Sequence, residues 1–395
     1  MLRRRSFLLI ATAAIAIVAV ACGSAASNDA GDGTAPPDST AEPESPADLA
    51  RRFGSDWSTD FSKFSIDFND LLSGGPGKDG IPAIDDPQFV SIAEADDFLA
   101  GREPVIAVEL NGDARAYPIQ ILIWHEITND TVGGVPVTVT FCPLCNSAIV
   151  FEREFGGVVY DFGVSGLLRK SDLVMFDRQT ESWWQQFTGE AIVGELTGTL
   201  LDIVPTSIVS WDDFKATYPD GQVLSRDTGF NRRYGQNPYT GYDTTGGQPF
   251  LFRGDLDGRL PPVERIAAVE LNGETVAYPF SLLEEQIVVH DTVGGEPIVV
   301  FFQPGTASAL NNTFIADSRD VGASGVFRPE AAGQTLTFRA DGEQIIDNET
   351  GSRWNVLGKA VDGSLAGEEL TPIVHGAHFW FAWAAFQPDT RIYQG

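Results

Sequence analysis

The sequence predicts a mainly β fold with short helices, built as two pseudo-symmetric halves; an α+β arrangement stays open. Three observations predict it. The string AVELNGDARAYP at residues 107–118 returns as AVELNGETVAYP at 268–279, 161 positions later. The β-rich runs are short and are punctuated by Asn-Gly, Gly-Gly and Asp-Gly pairs, which suit tight hairpins. Helical periodicity is sparse, with candidates at 91–100, 117–123 and 380–386.

At the start of the chain, Arg3, Arg4 and Arg5 precede an apolar run from Phe7 to Ala21, and Cys22 follows Ala19-Val20-Ala21. This predicts a signal peptide over 1–21 with a lipobox-like end. Cys22 then carries a lipid and anchors the exported protein on the outer face of the cytoplasmic membrane, or on the periplasmic side. The run is shorter than the ~20 apolar residues that a membrane span needs. Arg4-Arg5-Ser6-Phe7-Leu8 also fits twin-arginine export; an ordinary secretory signal with a chance arginine cluster is the alternative. Residues 22–50, rich in Ala, Ser, Asp, Glu and Pro, read as a disordered tether. The 374 residues left after cleavage can bury a sizeable core. Their formal charge is −32, against −29 for the whole chain. Such a surface repels phosphate backbones, so nucleic-acid binding is excluded as an expectation.

The repeat divides the rest into a first unit with its lead-in, 51–240, and a second unit, 241–395. Asp130-Thr131-Val132-Gly133-Gly134 returns as Asp291-Thr292-Val293-Gly294-Gly295. With small shifts of offset, Gly163, Ser165 and Gly166 match Gly322, Ser324 and Gly325, and Asp177, Thr180, Ser182 and Trp184 match Asp347, Thr350, Ser352 and Trp354. Trp211 and Phe214 match Trp380 and Trp383 near the end of each unit. A period this long does not suit a solenoid of small repeats. Residues shared by both units are read as fold-keeping, and residues confined to one unit are where chemistry is sought.

One motif is confined to the first unit. Phe141-Cys142-Pro143-Leu144-Cys145 aligns with Phe302-Gln303-Pro304-Gly305-Thr306, so the proline persists and both thiols are gone. If Gly133-Gly134 is a hairpin tip, the register sets His125 opposite Cys142, at the ~4.5–5.5 Å Cβ separation of paired residues. The second unit has Gln286 and Gln303 there. The face with Val135, Val137, Val139 and Phe141 is expected to meet the core, and the other carries Asn129, Thr138 and Thr140.

The cysteine pair admits three readings outside the cytoplasm. It is a disulfide, a metal site with His125, or a catalytic dithiol. The strand-like segment after Cys145 does not suit a thioredoxin-type helix. Thiolate and imidazole suit zinc, which takes a tetrahedral set, or copper, with Met175 as a candidate thioether; the alternative for Met175 is an ordinary core position. His375 and His378 are weaker metal candidates, since Gly376 between them argues against a shared helical face. His290 reads as a hairpin-surface residue. Ser165 lacks the nucleophile-elbow pattern and has Ser324 as a twin. No carboxylate pair singles itself out as glycosidase-like.

The segment WHEITND…GGVPVTVTFCPLCNSAIVF, with GVSGLLRKSDLVMFDRQTESWWQQFTGEAIVGELTG after it, resembles an uncharacterised prokaryotic family, domain of unknown function 3179, from about Lys78 onward. The resemblance implies no activity. It implies that His125, Cys142, Cys145 and Met175 belong to the family pattern. The expected function is a lipoprotein that binds copper or zinc, copper slightly ahead, for holding the ion or passing it to a partner protein. A thiol- or metal-dependent oxidoreductase and a non-enzymatic binding module with a structural disulfide are the alternatives, so the sequence leaves open whether the protein is an enzyme.

Overall fold

Both Asn-Gly pairs fold as two-residue hairpin turns with left-handed residues at both positions. Strands β1 (Pro104–Leu110) and β2 (Asp113–Pro118) meet with Leu110 opposite Asp113, and the connecting Asn111 and Gly112 have φ of 53° and 81°. Positive φ at both residues is the turn whose twist matches that of the strands. The computed structural model describes residues 45–54, 56–244 and 249–395. The expected signal peptide, Cys22 and most of the expected tether therefore lie outside the described residues.

The chain continues through helix α1 (Ile119–His125), β3 (Ile127–Val132), β4 (Val135–Cys142) and β5 (Ser147–Glu152). β3, β4 and β5 form an antiparallel sheet. A second antiparallel sheet holds β6 (Phe162–Arg169), β7 (Asp172–Asp177), β8 (Trp183–Gln185) and β9 (Glu190–Val193). β10 (Ser207–Ser210) returns beside β1, helix α2 (Trp211–Thr217) follows, and β11 (Gln222–Leu224) runs parallel to β2.

The first five of these elements recur with both bounds displaced by 161. They are β12 (Arg265–Leu271), β13 (Glu274–Pro279), α3 (Phe280–Gln286), β14 (Val288–Val293) and β15 (Glu296–Gln303). Strand order then diverges between the two segments. β4 has β5 as its outer neighbour, whereas β15 pairs with β16 (Ala323–Phe327). The pattern resumes in the sheet of β17 (Phe338–Asp341), β18 (Gln344–Asp347), β19 (Arg353–Trp354) and β20 (Ala360–Asp362). Met175 pairs with Trp184, and Ile345 pairs with Trp354. β21 (His375–Phe379) lies beside β12, helix α4 (Trp380–Phe386) follows, and β22 (Arg391–Ile392) runs parallel to β13.

The residues read as fold-keeping do that work. Asp177 Oδ2 accepts from Trp184 Nε1 at 2.9 Å, and Asp347 Oδ2 accepts from Trp354 Nε1 at 3.0 Å. The same two carboxylates take the backbone N–H and hydroxyl of Thr180 and Thr350. Gly166 and Gly325 sit where a Cβ would lie 2.0 Å and 2.1 Å from the carbonyl oxygens of Pro76 and Val356, so only glycine fits.

The fold is mainly β, and no α-helix among the described residues exceeds eight residues. None is long and apolar enough to cross a membrane. Helix 380–386 has the bounds read from sequence. The candidate at 117–123 is shifted, because Tyr117 and Pro118 end β2 and the helix runs on to His125. At 91–100 only Ile92–Ala95 is helical, capped by Ser91 and Glu94. The last residues of the expected tether are ordered too. Pro46–Phe53 is a helix with a Ser45–Asp48 capping box, and it buries Leu49 and sets Phe53 edge-on to Trp183. The described residues share one compact unit, and the core around Cys142 and Cys145 also includes Ile266, Ala268, Leu310 and Trp380.

Candidate metal centre

Two hairpin turns bring the site together. The first joins β4 to β5: Cys142 pairs with Ser147, Pro143–Cys145 makes a single 3-10 turn, and Asn146 (φ 50°) closes it in the left-handed region. Proline sets the φ that such a turn starts from, so Cys145 folds back under Cys142. The second joins β6 to β7 through Lys170 and Ser171, both left-handed at φ 53° and 70° with no glycine present. This turn aims the Ser171 carbonyl at the thiols, with Cys145 Sγ at 3.5 Å and Cys142 Sγ at 3.9 Å. It also delivers Asp172. One ligand atom from each of Cys142, Cys145 and Asp172 lies within 4.8 Å of the other two, and all three residues are buried. Both cysteines are free thiols.

The electrostatics of the cluster are one-signed. Asp172 Oδ2 accepts from Gln185 Nε2 at 2.7 Å and from the Phe187 N–H at 2.9 Å, while Oδ1 is buried with no hydrogen-bond partner among the described residues. Burial pushes the Asp172 carboxyl up to about 7 despite those hydrogen bonds and the nearby thiols. Glu126 is pushed up to about 8 by burial and then by the charge of Asp172. Burial raises Cys142, and it raises Cys145 further, with the neighbouring thiol and Asp172 adding to the effect. No basic side chain figures among the main influences on any of these four groups. Lys170, two residues from Asp172, donates instead to the Ala385 carbonyl at 2.5 Å.

The expected pairing of His125 with Cys142 does not form. β3 and β4 keep the predicted register, with Val132 opposite Val135 and Ile127 opposite Thr140. But the ladder stops there, because α1 runs through His125 and closes with Glu126 left-handed (φ 60°), its N–H on the Leu122 carbonyl. The His125 ring is engaged elsewhere: Nδ1 lies 2.7 Å from the Pro82 carbonyl and Nε2 2.7 Å from the Tyr234 hydroxyl. The expected contrast between the faces of β4 is also absent, since Thr138 and Thr140 are as fully buried as Val137 and Val139. Met175 is buried in β7 between its cross-strand neighbours Val164 and Trp184.

His375 and His378 stand on β21, in the wall of a cavity of about 530 Å³. His375 Nδ1 is 2.9 Å from the Ile373 carbonyl. His378 lies between Phe187 and Trp383, and burial lowers it to about 3. His290 is exposed, as read, and its Nε2 accepts from the Phe338 N–H at 3.0 Å. Ser165 donates to the Val174 carbonyl at 2.5 Å, a structural bond.

Asp172 and Glu126 escaped the reading of the sequence, although the comparison that singled out the cysteines reaches them. At the 161-residue displacement Glu126 corresponds to Ile287, which is likewise left-handed at φ 62°. At the displacement that relates Asp177 to Asp347, Asp172 corresponds to Gly342. All four buried acids are therefore absent from the second segment, replaced by Ile287, Gln303, Thr306 and Gly342.

No curated protein and no solved structure matches the chain significantly. A family model described as "Protein of unknown function (DUF3179)" matches residues 78–390 and takes in β1 through α4 with the whole cysteine site. With most of its length inside that match, the chain belongs to the DUF3179 family.

Proposed function

We propose that the protein binds a soft or borderline metal ion at Cys142, Cys145 and Asp172, with zinc ahead of copper, to hold the ion or pass it on outside the cytoplasm. The observation that carries this reading is the burial together of two thiols and two carboxylates with no basic partner among their main influences. Burying such groups is costly unless they stay protonated or meet a cation. The unpartnered Asp172 Oδ1 beside two thiols is what a metal ion satisfies. Two thiolates and a carboxylate suit zinc; without imidazole or thioether the set suits copper less well. The order of the two metals is thus the reverse of the sequence expectation.

The same observation counts against the dithiol oxidoreductase. Reactive cysteines sit in electropositive, partly exposed surroundings that favour the thiolate, and here both thiols are buried among acids. We also read the two segments as descendants of one duplicated unit, of which the second lacks the site. Export through residues 1–21 and anchoring through Cys22 belong to the same proposal, supported by the sequence pattern alone.

The test is metal analysis with thiol titration on the folded, tag-free protein. One equivalent of zinc or copper with both thiols shielded is expected. The double variant Cys142→Gln/Cys145→Thr, which installs the residues of the second segment, is expected to lose the metal and keep its fold. A wild type that takes up neither ion after reduction overturns the reading.

A further inference from the structure

Beside the cysteines lies a cavity of about 100 Å³, with Glu126, Cys142, Val164, Leu173, Tyr239 and Leu251 in its wall. That is room for a few water molecules. Cys142 therefore faces the cavity on one side and the other two ligand groups on the other. Among the described residues the mutually close set has three members and does not include Glu126. A tetrahedral ion held by three protein groups has one position left over, the arrangement that distinguishes catalytic zinc sites from closed structural ones.

We infer that the metal keeps one coordination position open toward this cavity, and that the occupant of that position is a small uncharged molecule held between the ion and Glu126. This rests on the metal reading above and adds to it the class of ligand. Water is the resting occupant. The cavity's chemistry narrows what can replace it. Val164, Leu173 and Leu251 offer no hydrogen bonds through their side chains, and among the described residues Glu126 is the one carboxyl group in the wall. A cation has no lone pair to offer the ion. An anion meets Glu126, Asp172, two thiolates and a chain of net charge −29. What fits is a compact neutral molecule with one lone-pair donor, such as an imidazole or a carbonyl oxygen, and with a hydrogen for Glu126 to accept or an acceptor for it to meet. The centre is then a Lewis-acid site for small neutral molecules rather than a structural clasp.

The test uses the full chain loaded with cobalt(II), whose visible bands report coordination directly, and imidazole as a neutral probe. The expected result is a saturable shift of the bands with imidazole and a much weaker response to azide. Glu126→Gln is expected to keep one equivalent of cobalt, with metal affinity lowered by no more than the ~10–100-fold typical of an outer-shell group, and to move the imidazole midpoint. Cobalt bands that ignore imidazole overturn the open position while leaving the metal site standing. So does loss of cobalt from a folded Glu126→Gln variant, which would make Glu126 the fourth ligand of a closed site. A wild type that binds no cobalt overturns the metal reading itself, and this inference with it.

Discussion

Asp172 and His125 separate two ways in which a polar side chain can be buried. Both ring nitrogens of His125 have oxygen partners at 2.7 Å. Asp172 has one oxygen satisfied twice, while the other has only the thiols of Cys142 and Cys145 beside it. The first pattern is that of a structural residue, and the second is what the proposed metal ion would complete. His125→Gln is accordingly expected to leave metal stoichiometry unchanged and to lower stability by about 1 kcal/mol for each hydrogen bond lost, read by urea denaturation. Asp172→Asn is expected to weaken metal binding beyond the ~10–100-fold of an outer-shell change, read by competition with a chromophoric chelator. Equal effects of the two substitutions on metal affinity would count against this division. The sequence showed the cysteines because the second segment has Gln303 and Thr306 at the matching positions. It did not show Asp172, because the residues that aim it, Lys170 and Ser171, turn left-handed without a glycine to mark them.

Elements explain why the hairpin register was legible and His125 was not. Gly133-Gly134 fixes the turn, and side-chain alternation then fixes every pair up to Ile127 and Thr140. The residues before Ile127 form an apolar run, Ile119-Gln120-Ile121-Leu122-Ile123-Trp124, which serves a buried strand or a buried helix equally well by pattern. The helix prevails from Ile119, directly after Pro118 ends β2 in extended conformation, and α1 ends on His125. The turns closed by Asp177 and Asp347 were read as fold-keeping from their recurrence, and their bonding gives that reading its physical content. Asp177→Ala strips the buried Trp184 Nε1 and the partly buried Thr180 N–H of their acceptor. Each unsatisfied buried group costs about 1–3 kcal/mol. A loss of that order or more is expected on chemical denaturation, with Asp347→Ala behaving alike. A neutral effect at either site contradicts the structural assignment.

Across the whole molecule, the buried acids would couple the proposed metal to stability. Glu126 and Asp172 have folded values near 8 and 7, above the ~4.3 and ~3.9 of unfolded chains. Between those limits the native apo protein binds more protons than the unfolded chain. Their contribution to stability is therefore complete below about pH 4 and is lost as the pH rises to about 8. A metal acts in the opposite sense, because it binds the ionised forms and gains affinity as they deprotonate. The difference in thermal midpoint between loaded and apo protein is expected to widen from pH 5 to pH 8. The stabilisation free energy supplied by the metal should reach about 2.7 kcal/mol where free metal is a hundredfold above its dissociation constant. A difference that does not change with pH argues against a site made of these groups. The most direct test of the central claim is X-ray absorption at the zinc edge of the loaded protein. The arrangement of Cys142, Cys145 and Asp172 predicts two sulfur scatterers at about 2.3 Å and oxygen at about 2.0–2.2 Å; a first shell of nitrogen and oxygen alone, or outer-shell scattering from imidazole, would contradict it.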